Sequence, residues 1–143
     1  MARNPLNFMK FVKVADHSAN STDAVTSSIV DTAGYQGVVF GTSLSTANAT
    51  NSIKVQQNTA NQTTGMADLT GTSVVSGTSD EDLIVAVHQP LERYLQVVVT
   101  RSVATTCESI WACLYGGPAT ASATGVSGTA AAEQHVSPAE GTA

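Results

Sequence analysis

The side chains best suited to moving protons near neutral pH are His17, His88 and His135. A nucleophile–base–acid arrangement could draw on Asp16 or Asp31, one of these imidazoles and any of many serines. The histidines stand far apart in sequence, and serine is so abundant that chance pairings are plentiful, so no pair is nominated. Phosphate-binding loop, dinucleotide glycine fingerprint, nucleophile elbow and zinc-protease helix motif are all missing from the chain. The expectation is a protein with no catalytic residues, no cofactor and no metal, which is not an enzyme.

Other reactive types have plainer readings beside their functional ones. Cys107 and Cys113 fall in what reads as one strand, where six residues span about 20 Å. A disulfide tolerates only about 4.4–6.8 Å between Cα atoms, so both are expected to be reduced and to pack as small hydrophobes. Asp80-Glu81-Asp82 could hold Ca²⁺ with loop carbonyls, but a solvated acidic turn before a strand is the simpler account. His88 could be a pH-responsive interface group, against a strand-end histidine hydrogen-bonded locally. Arg93 and Tyr94 admit two readings, closing a strand corner or anchoring an interface. Trp111 reads as core, with an interface anchor as the rival. The Asn-x-Ser/Thr sequons at Asn20, Asn48 and Asn61 are attributed to composition.

The elements that must position these residues follow from composition and period. Only 12% of the chain is charged, about half the usual share, and Ser and Thr take the place of the missing charge. Threonine suits strands through its branched Cβ, while Ser, Asn and Gly favour turns. Apolar-rich runs at Asn7–Val14, Ala24–Thr32, Gln36–Gly41, Ser52–Gln57, Asp82–His88, Arg93–Arg101 and Glu108–Tyr115 alternate with turn-rich stretches. No helical period persists over a dozen residues. The reading is all-β: an antiparallel β-sandwich, jelly-roll or immunoglobulin-like, of about seven or eight strands.

Period 2 assigns faces. In Arg93–Arg101, Leu95, Val97 and Val99 share the side expected inside. Asp82–His88 is apolar on both faces, which predicts a central strand. Glu108–Tyr115 sets Trp111, Cys113 and Tyr115 against Ile110, Ala112 and Leu114, so one of its faces is expected to meet a partner chain. Gln89–Glu92, with Pro90, reads as a tight link between two antiparallel strands, and Thr42–Asn51 and Asn58–Thr64 read as polar loops.

Net charge is −5, with only six lysines and arginines, so no nucleic-acid partner is expected. No stretch nears the ~18 apolar residues of a membrane span. The N-terminal residues lack a continuous apolar segment, so synthesis and initial residence in a cytosol are expected. The domain is placed at residues 1–116. Residues 117–143 form a low-complexity segment of Gly, Ala, Ser, Thr and Pro, expected to act as an extended arm.

Ile53-Lys54-Val55-Gln56-Gln57, Asp82-Leu83-Ile84, Pro90-Leu91-Glu92-Arg93-Tyr94-Leu95 with Val97, Val99 and Arg101, and Ile110-Trp111-Ala112 with Leu114-Tyr115-Gly116 occur in that order. The succession resembles small virion structural proteins of tailed bacteriophages, of the capsid cement or decoration type, over roughly residues 36–116. The arm beyond Gly116 exceeds that pattern, and the first strand matches it loosely. The resemblance implies a protein made in the host bacterial cytoplasm and residing on the capsid surface. It would bridge major capsid protein subunits and associate with itself as a dimer or trimer. Interface positions are then expected at Arg93, Tyr94, Trp111 and Tyr115, and in the arm at Pro118, Val126, His135, Val136 and Pro138. The competing reading is a receptor- or glycan-binding head-fibre or tail module.

Overall fold

The computed structural model describes residues 5–45, 49–77, 81–117 and 126–127. Among them the chain is built of strands, with one 3₁₀ turn at Pro5–Asn7. In chain order these are β1 (Lys10–Ala15), β2 (Ser18–Ser21), β3 (Val25–Thr26), β4 (Val30–Asp31), β5 (Gly37–Ser45), β6 (Ser52–Asn58), β7 (Ala67–Asp68) and β8 (Val74–Val75). β9 (Glu81–His88), β10 (Tyr94–Thr100), β11 (Thr105–Cys107), β12 (Ile110–Tyr115) and β13 (Val126–Ser127) follow. The expected all-β sandwich is the fold observed.

A 7-stranded sheet is organised around β5. One side of β5 pairs with β12 and, further along, with β11; the other side pairs with β9. β1 lies beyond β12, and β2 beyond β11. A 6-stranded sheet is centred on the antiparallel β6–β10 pair. The short β3 and β4 flank β10, and β7 and β8 flank β6.

Alternation builds the core between the sheets. β5 contributes Val38, Phe40 and Leu44; β9 adds Leu83, Val85 and Val87; β12 adds Ile110, Ala112 and Leu114. Opposite them stand Ile53 and Val55 of β6 with Leu95, Val97 and Val99 of β10, all fully buried. Each such side chain contributes ~1.5–3 kcal/mol on leaving water. Leu95, Val97 and Val99 are the inward set that the alternation assigned.

Several expectations are corrected. Asp82–His88 is an edge strand, not a central one, because β9 pairs only with β5 among the described residues. Gln89–Glu92 is not a hairpin: β9 and β10 belong to different sheets, and the link carries the chain from one layer to the other. Gln89 takes φ 49° there, a left-handed conformation unusual without glycine. Its amide donates to the Gln36 carbonyl at 2.7 Å. β5 runs on through Ser45, into the segment read as a loop. The two free cysteines occupy separate strands, Cys107 in β11 and Cys113 in β12. Trp111 is not core: it lies 41% exposed on the outer side of β12.

Candidate functional site

Because β5, β9 and β12 bury alternate residues, the remaining residues form the outer face of the first sheet. The register sets them in rows. Phe11, Cys113, Val39 and Ala86 are successive cross-strand partners, and so are Lys13, Trp111, Gly41 and Ile84. A third row holds Tyr115, Gly37 and His88. Most of these side chains are apolar. Ile84, on the edge strand β9, is 63% exposed and Trp111, on the inner strand β12, 41%, so large apolar groups meet water where a solvated face would carry polar ones.

At one border of this face, Tyr115 leans across Gly37. A Cβ at Gly37 would run into the Tyr115 ring and lie 2.6 Å from the Val87 carbonyl oxygen. The missing side chain lets Tyr115 reach His88, whose Nδ1 lies 3.0 Å from the phenol oxygen with the rings nearly parallel. At the same end of the sandwich, Arg93 makes a two-pronged contact with Asp31, Nε to Oδ1 and Nη2 to Oδ2, both 2.7 Å. Its guanidinium sits 5.1 Å from the centre of the Tyr94 ring. The Arg93 hydrogen bonds hold the Asp31 carboxyl well below its ordinary value, at about 2. Beside them Leu91, at the tip of the inter-sheet link, is 91% exposed.

Over β5, between Trp111 of β12 and Ile84 of the edge strand β9, lies a groove of ≈ 500 Å³ with Gly41 between its walls. Ser43, Asp82, Glu108 and Ser109 form its polar rim. Ser43 Oγ donates to Asp82 Oδ1 at 2.5 Å, and His17 Nδ1 lies 3.0 Å from Glu108 Oε2. Glu81 accepts from the Gly77 amide. Among the described residues no three His, Cys, Asp or Glu side chains gather as a metal cluster would. Burial pushes both thiols, Cys107 and Cys113, above the usual cysteine value, away from the thiolate a nucleophile needs.

The structure thus brings Arg93, Tyr94 and Tyr115 to one end of the sandwich and sets Trp111 on the adjoining sheet face. Val126 pairs with Phe11 along the free edge of β1. Pro118, His135, Val136 and Pro138 lie outside the described residues. The sequence reading did not nominate Ile84, Leu91 or Gly41. Ile84 carried a signal in the doubly apolar β9, but that pattern was assigned to burial on both sides.

No protein-family model matches the chain. No curated protein matches it either. Among solved structures it is similar to one described as "CBM4 structure and function", with a TM-score of 0.39 and 10% identity over 80% of this chain and 89% of that one.

Proposed function

We propose that this chain is a non-enzymatic virion structural protein that binds the outer surface of a tailed-phage capsid and bridges neighbouring major capsid protein subunits. The observation that carries the proposal is the apolar outer face around Trp111 and Ile84, which has no covering layer among the described residues. A chain with 12% charged residues does little to keep such a face from other surfaces. The exposed Leu91 at the end of the sandwich adds a second apolar contact point. The order of motifs from Ile53 to Gly116 supports the choice of a phage shell as the partner.

The mechanism is mechanical. Each copy buries surface across a joint between capsid subunits, and separating the subunits must first expose that surface. A stable contact of this kind needs about 1,000 Å² or more, and many copies on one shell multiply the effect.

Co-sedimentation with expanded and mature shells tests the proposal. The full chain is expected to pellet with shells and raise their disruption temperature. Trp111→Ser with Ile84→Ser is expected to weaken binding at least ~10-fold, since central aromatic anchors dominate such contacts. Failure of the full chain to bind either shell form would overturn the capsid reading. Equal binding by a correctly folded double variant would remove this face from it.

A further inference from the structure

Glycine weakens a strand, yet Gly41 stands in the middle of the central strand β5. Neither usual reason for it applies. Its φ is not positive, unlike that of Gly34, Gly65, Gly71 and Gly116. A Cβ added at Gly41 would meet nothing nearer than 4.0 Å, so packing does not demand its absence. What the missing side chain does is keep a slot open. Gly41 is the direct cross-strand partner of Trp111 on one side and Ile84 on the other. Two strand spacings separate the walls, about 10 Å, which leaves room for one inserted side chain.

The rim selects what enters. Asp82 and Glu108 both line the groove, and no lysine or arginine does. Each carboxylate has one oxygen engaged, with Ser43 and His17 respectively, and one without a partner among the described residues. An aromatic wall beside two carboxylates, with no lysine or arginine in the lining although His17 touches Glu108 and Lys13 lies across from Trp111 on its far side, suits a planar cation. Such a cation gains from the ring face and from charge-assisted hydrogen bonds at the same time. A neutral sugar would stack on Trp111 but leave the charge unbalanced, and a purely apolar side chain would leave both carboxylates facing it unpaired. We propose that the Trp111–Gly41–Ile84 slot receives a basic side chain of the partner protein, an arginine laid against Trp111 with its guanidinium turned to Asp82 and Glu108. Arginine fits better than lysine because its flat fork can stack and donate to both acids. The proposal rests on the reading of this face as a protein-docking surface and names the chemistry that surface recognises.

Trp111 is the single tryptophan of the chain, so its indole N–H gives one NMR signal that reports the slot without any shell present. The full ¹⁵N-labelled chain is titrated with acetyl-Gly-Arg-Gly-amide, with the citrulline counterpart, and with cellotetraose. The expected result is a saturable shift of the Trp111 signal by the arginine peptide, about 5-fold or more weaker with citrulline, which keeps the shape but not the charge. Asp82→Asn with Glu108→Gln is expected to bring the arginine peptide down to the citrulline level. Gly41→Val is expected to abolish the shift while thermal stability holds or rises, because a branched residue suits a strand. Equal response to citrulline, no response to arginine, a tighter response to cellotetraose, or retained binding in Gly41→Val would each overturn the proposal. If shells fail to bind the chain while the arginine peptide still shifts Trp111, the capsid reading falls and the slot stands. If shells bind and the peptide does not, the slot falls alone.

Discussion

Arg101 and Arg93 show how differently one residue type behaves a few positions apart. Arg101, just past β10, is 2% exposed. Its guanidinium donates to the carbonyl oxygens of Asp23 at 2.6 Å, Ala19 at 2.9 Å and Thr105 at 2.9 Å, and to Ser18 Oγ at 3.0 Å. One fork therefore ties β2, the β2–β3 turn and β11 together through backbone acceptors. Arg101→Lys keeps the charge but cannot reach all of these, and buried acceptors left unpaired cost ~1–3 kcal/mol each. A loss of about 2–3 kcal/mol in denaturant midpoint analysis is expected. The Arg93–Asp31 pair is different, because both side chains are about half exposed and solvent screens most of its strength. Its signature is in pH. Asp31 is depressed from 3.8 to about 2 by the Arg93 hydrogen bonds, so the folded state binds its proton later than the unfolded chain does. The contribution is present above the unfolded value and disappears as pH falls from 3.8 towards about 2. In thermal melts across that range, the small advantage of the native chain over Asp31→Asn should shrink to nothing at the acid end. A difference that is constant with pH would remove the pair as its cause.

At the scale of strands, alternation tells which face of a strand is inside but not which strand lies beside it. Leu95, Val97 and Val99 were legible because Tyr94, Gln96 and Thr100 mark the opposite face as the more polar one, although Gln96 is itself only 4% exposed in a strand paired on both sides. β9 shows the same alternation plus an apolar second face, and nothing local distinguishes a central strand from an edge strand with an uncovered side. Its true place depends on the inter-sheet link at Gln89–Glu92, a long-range choice. β2, with sequence Ser-Ala-Asn-Ser, and β11, with Thr-Thr-Cys, carry too few apolar residues to register as strands. They exist because Arg101 and β5 hold them. Of the candidate site, the sequence singles out Trp111 and Tyr115 by type, but its first reading of Trp111 as core fails because the indole lies 41% exposed. Ile84 and Gly41 were not legible, since their meaning lies in being opposite Trp111 across strands. The dependence of β9 on one neighbour leads to a prediction at Gly37. A Cβ there would press on the Val87 carbonyl, which is backbone and cannot swing aside. Gly37→Ala is therefore expected to loosen the β5–β9 ladder, raising amide exchange in Val85–His88 well before it rises in β10. Removing the other obstacle with Tyr115→Ala should not restore protection, because the backbone clash remains. Restoration would mean that Tyr115 alone decides the geometry.

At the scale of the whole molecule, the sequence separates an expected domain at residues 1–116 from an expected arm at 117–143. Among the described residues, every core side chain lies between Val14 and Leu114. Yet β13 runs parallel to β1, with Phe11 opposite Val126 and Val12 opposite Ser127, and so covers part of an edge that would otherwise present free backbone groups. An open edge is a template for another chain. A chain ending at Gly117 is expected to keep a cooperative melt within a few degrees of the full protein, since a lost edge pairing is small beside the core. Amides of Phe11 and Val12 should lose protection in hydrogen exchange, and light scattering should show more self-association with rising concentration. The same truncation separates two roles for the arm. If it weakens shell binding while the sandwich stays folded, residues beyond Gly117 contribute contacts of their own. If shell binding persists and only the β1 edge becomes reactive, the segment serves to guard that edge, and the docking surface is the sheet face around Trp111.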